Sequence, residues 1–367
     1  MNPRRREMLR WMFGVTAATV CGWPRRANAM DDVDGYVPDE AEPHERTFMQ
    51  WPVSRAVYAE RWQLDEAQAA IARIANAIAG FEPVVLLAAA EHHAAIRRRV
   101  GGGVELWDVP TDDLWARDSG PLFVTDGRGN LAVRSLNFNG WGNKQPHAHD
   151  GRVAKRVAER MGLPVLDNGL VGEPGGVETD GHGTLLAHES SWVHDNRNPV
   201  RTRDQVEALL LEAYGADRMI WAPGLADEDI TDYHIDALAR FAGPGRVVIQ
   251  MPADPDADDI WSQAAWETRA VLDEARDAQG KPFEIIELHD PIRPRVQDHD
   301  FVASYVNYYV CNGAVVAAQF GDPDTDAETV DVLSGLYPQR KIVTLNVDAL
   351  GWLGGGIHCA TQQQPAI

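Results

Sequence analysis

The sequence predicts a mixed α/β domain assembled from repeated strand–strand–helix–strand units. Short apolar strands alternate with helical segments from residue 38 to residue 365. Strand pairs tend to precede a helix and a further strand, which is the order of a ββαβ unit. No Gly/Ser-rich or charged linker interrupts that span, so residues 30–367 read as a single domain. The units share no visible sequence identity.

In chain order, a helix comes first. Over residues 61–79, Leu64, Ala67, Ile71, Ile74 and Ile78 recur three and four apart and form one apolar face. Residues 84–88 and 104–108 follow as apolar runs of strand length. Strands at 121–125 and 131–137 flank a turn that contains Gly127 and Gly129. Residues 150–161 return to helix. A strand at 184–187, a helix at 203–214, a strand at 247–251, a helix at 262–278 and a strand at 283–288 follow. The strand 314–319, the helix 327–336 and the strand 342–346 complete the set.

Hydrophobic residues make up 44% of the 367 and charged residues 24%, the balance of a soluble globular chain. That excludes disorder as the main state, and no second long apolar run points to a polytopic membrane protein. The formal charge of -21 argues against nonspecific nucleic-acid binding, which needs a basic footprint. It is compatible with a small cationic substrate. Three cysteines, Cys21, Cys311 and Cys359, do not make a disulfide framework.

The first 29 residues read as an export leader. Arg4-Arg5-Arg6 precedes an apolar stretch from Trp11 to Trp23, and Ala27-Asn28-Ala29 has the small-x-small pattern of a cleavage site. Arg5-Arg6-x-x-Leu9 resembles a twin-arginine signal, so a periplasmic or extracellular location is expected. The apolar run is too short to span a bilayer, and no stable membrane association is expected once the leader is removed.

Polar residues with chemical potential gather in four segments. The first is Trp115-Ala116-Arg117-Asp118-Ser119-Gly120-Pro121. The second is Glu173-Pro174-Gly175-Gly176. The third is Tyr233-His234-Ile235-Asp236, where an extended backbone would point His234 and Asp236 to one face. The fourth is Gly354-Gly355-Gly356-Ile357-His358-Cys359, in which glycines let the backbone approach a ligand closely. Cys311 lies in an apolar setting typical of inert core, whereas Cys359 sits among glycines and polar amides. One nucleophile, one His-x-Asp and a surplus of carboxylates suit a planar cation rich in N–H donors, since carboxylates accept paired hydrogen bonds from a guanidinium. The same cation would favour the thiolate.

These segments resemble the agmatine deiminase and bacterial, Porphyromonas-type peptidylarginine deiminase family of guanidino-group-modifying enzymes. The resemblance also runs through Pro43-His44-Glu45-Arg46-Thr47, Phe138-Asn139-Gly140-Trp141-Gly142, Asn196-Arg197-Asn198-Pro199, Ser304-Tyr305-Val306-Asn307 and Gln319-Phe320-Gly321-Asp322. It implies a five-bladed α/β-propeller, or pentein. It implies that Asp118 and Asp236 grip a guanidinium, that Cys359 is the nucleophile, that His234 shuttles protons and that Glu173 orients the histidine. Trp115 would line the pocket, with Arg117, Trp141, Tyr233 and Gly356 as further substrate contacts. The resemblance implies no metal or organic cofactor, and it leaves self-association open.

Two departures bear on specificity. The family usually reads Glu-Gly-Gly where this chain has Glu173-Pro174-Gly175, so the Glu173 loop is expected to shift. Family members commonly have Gly before the histidine, where this chain has Tyr233, and Ile230 takes a place that is acidic in some agmatine deiminases. The substrate is therefore open among agmatine, arginine, a peptidyl arginine and other guanidino compounds. A noncatalytic periplasmic binder of guanidino ligands is the alternative of another class. A metal site built from His147, His149 and Asp150 with His182, His188 or His194 is a further one.

Overall fold

The structure is a computed structural model that describes residues 35–253 and 256–367. The proposed leader lies outside the described residues, as does Cys21. Five small sheets account for the strands. Their first four members are laid down by β1 (His44–Gln50), β2 (Val84–Ala88), β3 (Val104–Asp108) and β4 (Leu122–Thr125). The remainder are β5 (Leu131–Arg134), β6 (Val165–Leu166), β7 (Val177–Thr179), β8 (Thr184–His188), β9 (Arg218–Ala222), β10 (Ala239–Phe241), β11 (Arg246–Met251) and β12 (Glu284–His289). Last come β13 (Tyr309–Cys311), β14 (Ala314–Ala318), β15 (Lys341–Leu345) and β16 (Gln362–Pro365).

One plan repeats. β4 pairs antiparallel with β5, a helix Val153–Met161 crosses over, and β6 adds in parallel. The same order holds for β7, β8, the helix Arg203–Tyr214 and β9. It holds again for β10, β11, the helix Ile260–Glu274 and β12, and for β13, β14, the helix Pro323–Leu336 and β15. A parallel neighbour requires such a crossover, whereas an antiparallel one needs only a turn. The fifth unit closes the ring. β16 pairs antiparallel with β1, the helix Arg61–Ile78 leads to the parallel β2, and β3 extends that sheet by a fourth strand. This is the five-bladed α/β arrangement.

The crossover helices begin and end where their sequences dictate. Thr202 and Gln205 cap Arg203–Tyr214 reciprocally, and Gly215 ends it in the left-handed conformation at φ 63°. Asp259 accepts the Ser262 amide and starts Ile260–Glu274 two residues earlier than expected. That helix stops at Ala275, whose backbone is extended, rather than running to residue 278. In Arg61–Ile78 the buried face comprises Ala67, Ala70, Ile71, Ile74, Ala75 and Ile78, as the spacing predicts.

The strands β4, β7, β10, β13 and β16 each form one edge of their sheet. Their polar residues meet one another. Arg240 of β10 reaches Glu178 of β7 at 3.1 Å and the Tyr308 carbonyl beside β13. Arg117, just ahead of β4, donates to Gln363 of β16 at 3.0 Å. Glu40 lies between them, 2.8 Å from Arg117 and 3.1 Å from Arg240. The ring therefore closes around a buried ionic network rather than an apolar plug. Arg117, Glu178 and Arg240 are buried and Glu40 nearly so, and mutual pairing is what makes that burial tolerable.

Candidate active site

Each of the five units contributes the segment just ahead of its edge strand. Asp118 stands in the short helix Ala116–Ser119 before β4. Glu173 introduces the 3-10 turn Pro174–Gly176 before β7. His234 and Asp236 flank the start of the 3-10 turn Ile235–Ala237 before β10. Asn307 precedes β13, and Cys359 occupies a turn before β16. The fold thus brings together Cys359, His234, Asp118, Asp236 and Glu173, of which the first and last in sequence, Asp118 and Cys359, are 241 positions apart.

Asp236 anchors the cluster. Its Oδ2 lies 2.7 Å from His358 Nδ1 and 3.5 Å from Cys359 Sγ. Among the described residues its buried Oδ1 has no hydrogen-bond partner. A methyl placed on Gly175 would stand 2.6 Å from Asp118 Oδ1, 2.8 Å from His234 Nδ1 and 3.3 Å from Asp236 Oδ2. Those three groups therefore surround one point, and only glycine leaves it open. Trp115 lies against Gly355, where a methyl would meet its ring at 2.7 Å and Cys359 Sγ at 3.4 Å. Its indole thus flanks the sulfur.

His234 is held on both sides. Nε2 faces Glu173 Oε2 at 3.2 Å, and Nδ1 lies 3.7 Å from Asp118 Oδ1. Burial would discharge the ring, but Asp118, Glu173 and Asp236 outweigh it and push the imidazole up to about 9. Glu173 is itself fixed by Arg197 at 3.1 and 2.8 Å, and Arg197 by Asp232 at 2.6 Å. Asp118 receives the Trp141 Nε1–H at 2.9 Å and the Gly175 amide at 3.3 Å. Burial, with Glu173 and Asp236 nearby, lifts its carboxyl to about 6 although His234 opposes the change. Asp236 is lowered instead: burial would raise it, but the bond to His358, with His234 and Arg240, prevails.

The thiol of Cys359 is raised well above its ordinary value, first by burial and then by Asp236 and Asp118. Hydrogen bonding from the Gly356 backbone and the Asn307 amide offsets part of this. Asn307 donates to Sγ at 3.1 Å and accepts the Cys359 amide at 3.3 Å. Two anions beside a buried thiol oppose its ionisation until a cation enters between them. The arrangement therefore suits a nucleophile that becomes a thiolate when a positively charged substrate binds.

Other expected positions fall elsewhere. The Arg117 guanidinium is engaged by Glu40, Gln363 and the His358 carbonyl, so it braces the ring instead of facing the cluster. Tyr233 stacks on His188 with centroids 4.6 Å apart and meets Trp261 edge-on, so its ring belongs to the adjoining core. Its φ of 66° and that of Asp232 at 59° are left-handed, the conformation in which glycine is at ease. The Asp229 carboxylate, accepting the Tyr233 amide at 3.0 Å, holds that turn. Gly356 contacts Asn307, and the glycine against the Trp115 ring is Gly355. His234-x-Asp236 is a tight turn, not a strand as an extended reading would have it, yet both side chains reach the cluster. Pro174 occupies the first position of its turn, where no N–H is needed, and Glu173 still reaches His234.

The histidines of the metal alternative are scattered. His188 faces the Tyr233 carbonyl and Thr268, and His147 faces the Gln145 carbonyl. Asp150 accepts the amides of Asp112 and Asp113. Among the described residues, His194, Asp227 and Asp232 approach one another closely, but the Asp232 oxygens already face Lys144, Asn196 and Arg197. A cation there would compete with two resident ones. Asn307, His358, Gly175 and Arg197 are site residues to which sequence reasoning gave no role. The signal for Asn307 and Arg197 is their place in Ser304-Tyr305-Val306-Asn307 and Asn196-Arg197-Asn198-Pro199, and for His358 its adjacency to Cys359.

Comparison with known proteins agrees with this geometry. A family model described as Porphyromonas-type peptidyl-arginine deiminase matches residues 36–365. A relative from Streptomyces coelicolor is 39% identical over 90% of this chain and 98% of its own. The agmatine deiminase of Pseudomonas aeruginosa is 33% identical over 91% of this chain and 96% of its own. The solved agmatine deiminase of Enterococcus faecalis superposes with a TM-score of 0.84 at 26% identity, over 90% of this chain and 96% of that one. The chain belongs to the Porphyromonas-type peptidyl-arginine deiminase family, whose α/β ring it shares.

Proposed function

We propose that this protein hydrolyses the guanidinium group of agmatine, giving N-carbamoylputrescine and ammonia. The observation that carries the reading is the Asp236 carboxylate, which lies beside Cys359 Sγ and shares the space in front of Gly175 with Asp118 and with a His234 cation held between Asp118 and Glu173. The substrate's planar cation enters between Asp118 and Asp236, and its charge favours the Cys359 thiolate. Sulfur adds to the guanidinium carbon. His234, charged at neutral pH, gives its proton to the departing nitrogen, and ammonia leaves. An amidino-thioether remains on Cys359. The now neutral His234 takes a proton from water, whose oxygen adds to the same carbon. The C–S bond then breaks, releasing the ureido product and restoring the thiol. Overall one water is consumed and one ammonia released.

The enclosed site favours a small free guanidino compound over a peptidyl arginine. Cys359 is 9% exposed and His234 4%, so the reacting groups are enclosed around the head group. Trp115 lies beside the sulfur, so an alkyl chain that extends from the head group would meet apolar surface there. Purified enzyme incubated with agmatine, arginine, other guanidino compounds and short Arg peptides tests the reading. Ammonia and ureido product from agmatine are expected, with a transient mass increase on Cys359 in quenched samples. Turnover of none of them, with ligand binding retained, would make the protein a binder rather than an enzyme.

We also propose that the protein is exported by a twin-arginine route. Support comes from Arg5-Arg6, the apolar stretch and Ala27-Asn28-Ala29. Fractionation of the source cells, with N-terminal mass determination, checks this. A cytoplasmic protein that retains Met1 would contradict it.

A further inference from the structure

The imidazole of His358 lies between two carboxylates behind the cluster. Nδ1 is 2.7 Å from Asp236 Oδ2, and Nε2 is 2.9 Å from Glu40 Oε2. A neutral imidazole carries one N–H, so both contacts are hydrogen bonds only if the ring donates from both nitrogens. The ring is 2% exposed. Its charged neighbours are Asp236, Glu40 and, at 3.9 Å, Glu178, and Arg240 and Arg117 pair with Glu40 from either side. Glu40 also accepts the Val310 amide at 2.9 Å, so it cannot swing away. The chain Glu40–His358–Asp236 is therefore rigid from the ring's centre to the catalytic cluster. At its end one Asp236 oxygen is tied to His358, and Oδ1 is buried without a partner among the described residues.

We propose that His358, braced by Glu40, is a positioning residue of the deimination. It fixes the rotation of the Asp236 carboxylate, so that Oδ2 stays beside the Cys359 sulfur and the space in front of Gly175 while the carboxylate as a whole is held ready to accept from the guanidinium N–H groups. His358 acts through Asp236 and does not touch the substrate. An acceptor held in place by a charge-assisted bond gives up no orientational freedom when the substrate arrives. This inference rests on the deiminase reading, and its test separates the two.

The experiment compares wild type with His358→Ala, His358→Asn, His358→Gln and Glu40→Gln in agmatine hydrolysis across pH, with melting temperature recorded for each. Wild-type turnover is measured first, and its absence would overturn the deiminase reading. The pair His358→Asn and His358→Gln is the decisive comparison. The shorter amide places its N–H near the position of Nδ1 and the longer one near Nε2. His358→Ala is expected to lower kcat/KM roughly 10- to 100-fold, the loss of one charge-assisted hydrogen bond, and to move the acidic limb of the pH profile upward. His358→Asn should recover much of that activity and His358→Gln much less, and Glu40→Gln should fall between wild type and His358→Ala. If His358→Ala does not fold, the ordering of the two amide variants still decides. Equal activity of His358→Asn and His358→Gln, or losses that follow melting temperature with an unmoved acidic limb, would overturn the positioning role.

Discussion

Asn307 grips Cys359 at two points. Its amide nitrogen donates to Sγ at 3.1 Å while its oxygen accepts the Cys359 backbone N–H at 3.3 Å. The same nitrogen also lies 3.2 Å from the Asp236 carbonyl. One side chain thereby sets both the rotamer of the nucleophile and its distance from the carboxylate wall.

Replacing Asn307 should cost activity in a graded way. Asn307→Ala is expected to lower kcat/KM by roughly 10- to 100-fold, since a donor to a developing anion is lost. Asn307→Asp should be worse than Asn307→Ala, because an added anion opposes the thiolate. Steady-state assays with agmatine check the order. An Asp variant as active as wild type would remove Asn307 from the site's machinery.

The state of the thiol predicts a charge-selective reactivity. With Asp236 and Asp118 beside it and burial dominating, free Cys359 stays protonated at neutral pH. Neutral iodoacetamide should alkylate it slowly at about pH 7, and a haloacetamidine, whose cation fits between the carboxylates, much faster. Mass spectrometry of the labelled protein measures both rates. Asp118→Asn and Asp236→Asn should narrow the gap between the reagents, and equal rates in wild type would contradict a substrate-assisted thiolate. Cys359→Ala should show neither labelling at this position nor turnover.

His234 gives a pH signature in stability. Its pKa rises from 6.5 to about 9 in the folded protein. Its cation therefore contributes stability that is fully present below about pH 6.5 and is lost as pH rises through about 9. His234→Gln lacks that contribution. The wild-type advantage in melting temperature should be largest near pH 6 and shrink by pH 9 to 10. An advantage that grows over this range would refute the assignment.

Gly175 separates site from scaffold. Its backbone is not left-handed, so Ala is conformationally allowed, but the added methyl would stand 2.6 Å from Asp118 Oδ1 and 2.8 Å from His234 Nδ1. Gly175→Ala should fold, at an overpacking cost of roughly 1–3 kcal/mol, and lose about 100-fold or more in kcat/KM. A variant with near-normal kinetics would mean that the space beneath residue 175 is not where the substrate's head group lies.

The sequence makes the outer part of each blade legible and hides the inner part. Residues 84–88, 104–108 and 203–214 coincide with observed elements because their apolar pattern decides them. β7, β10 and β16 are three or four residues long and carry Glu178, Arg240 and Gln363 toward the ionic centre, so they present no apolar run to read. That Cys359, Asp118 and Asp236 gather in one place is legible from chemistry and motif. The second ring of residues was not, because Asn307, His358 and Arg197 act through distances that only the closed ring creates. Arg117 and Tyr233 lie within motifs yet point elsewhere, since adjacency in sequence does not fix the direction of a side chain.

The pairing of β16 with β1 has a consequence for the timing of synthesis. The last strand joins the first, and the reactive sulfur sits in the turn that leads into it. A ribosome that has completed four blades has made the acidic walls and the imidazole but no reagent to place between them. Cys359 meets Asp236 and Asn307 only as the seam is sewn, so a chain released before its last strand holds four blades and an incomplete cluster.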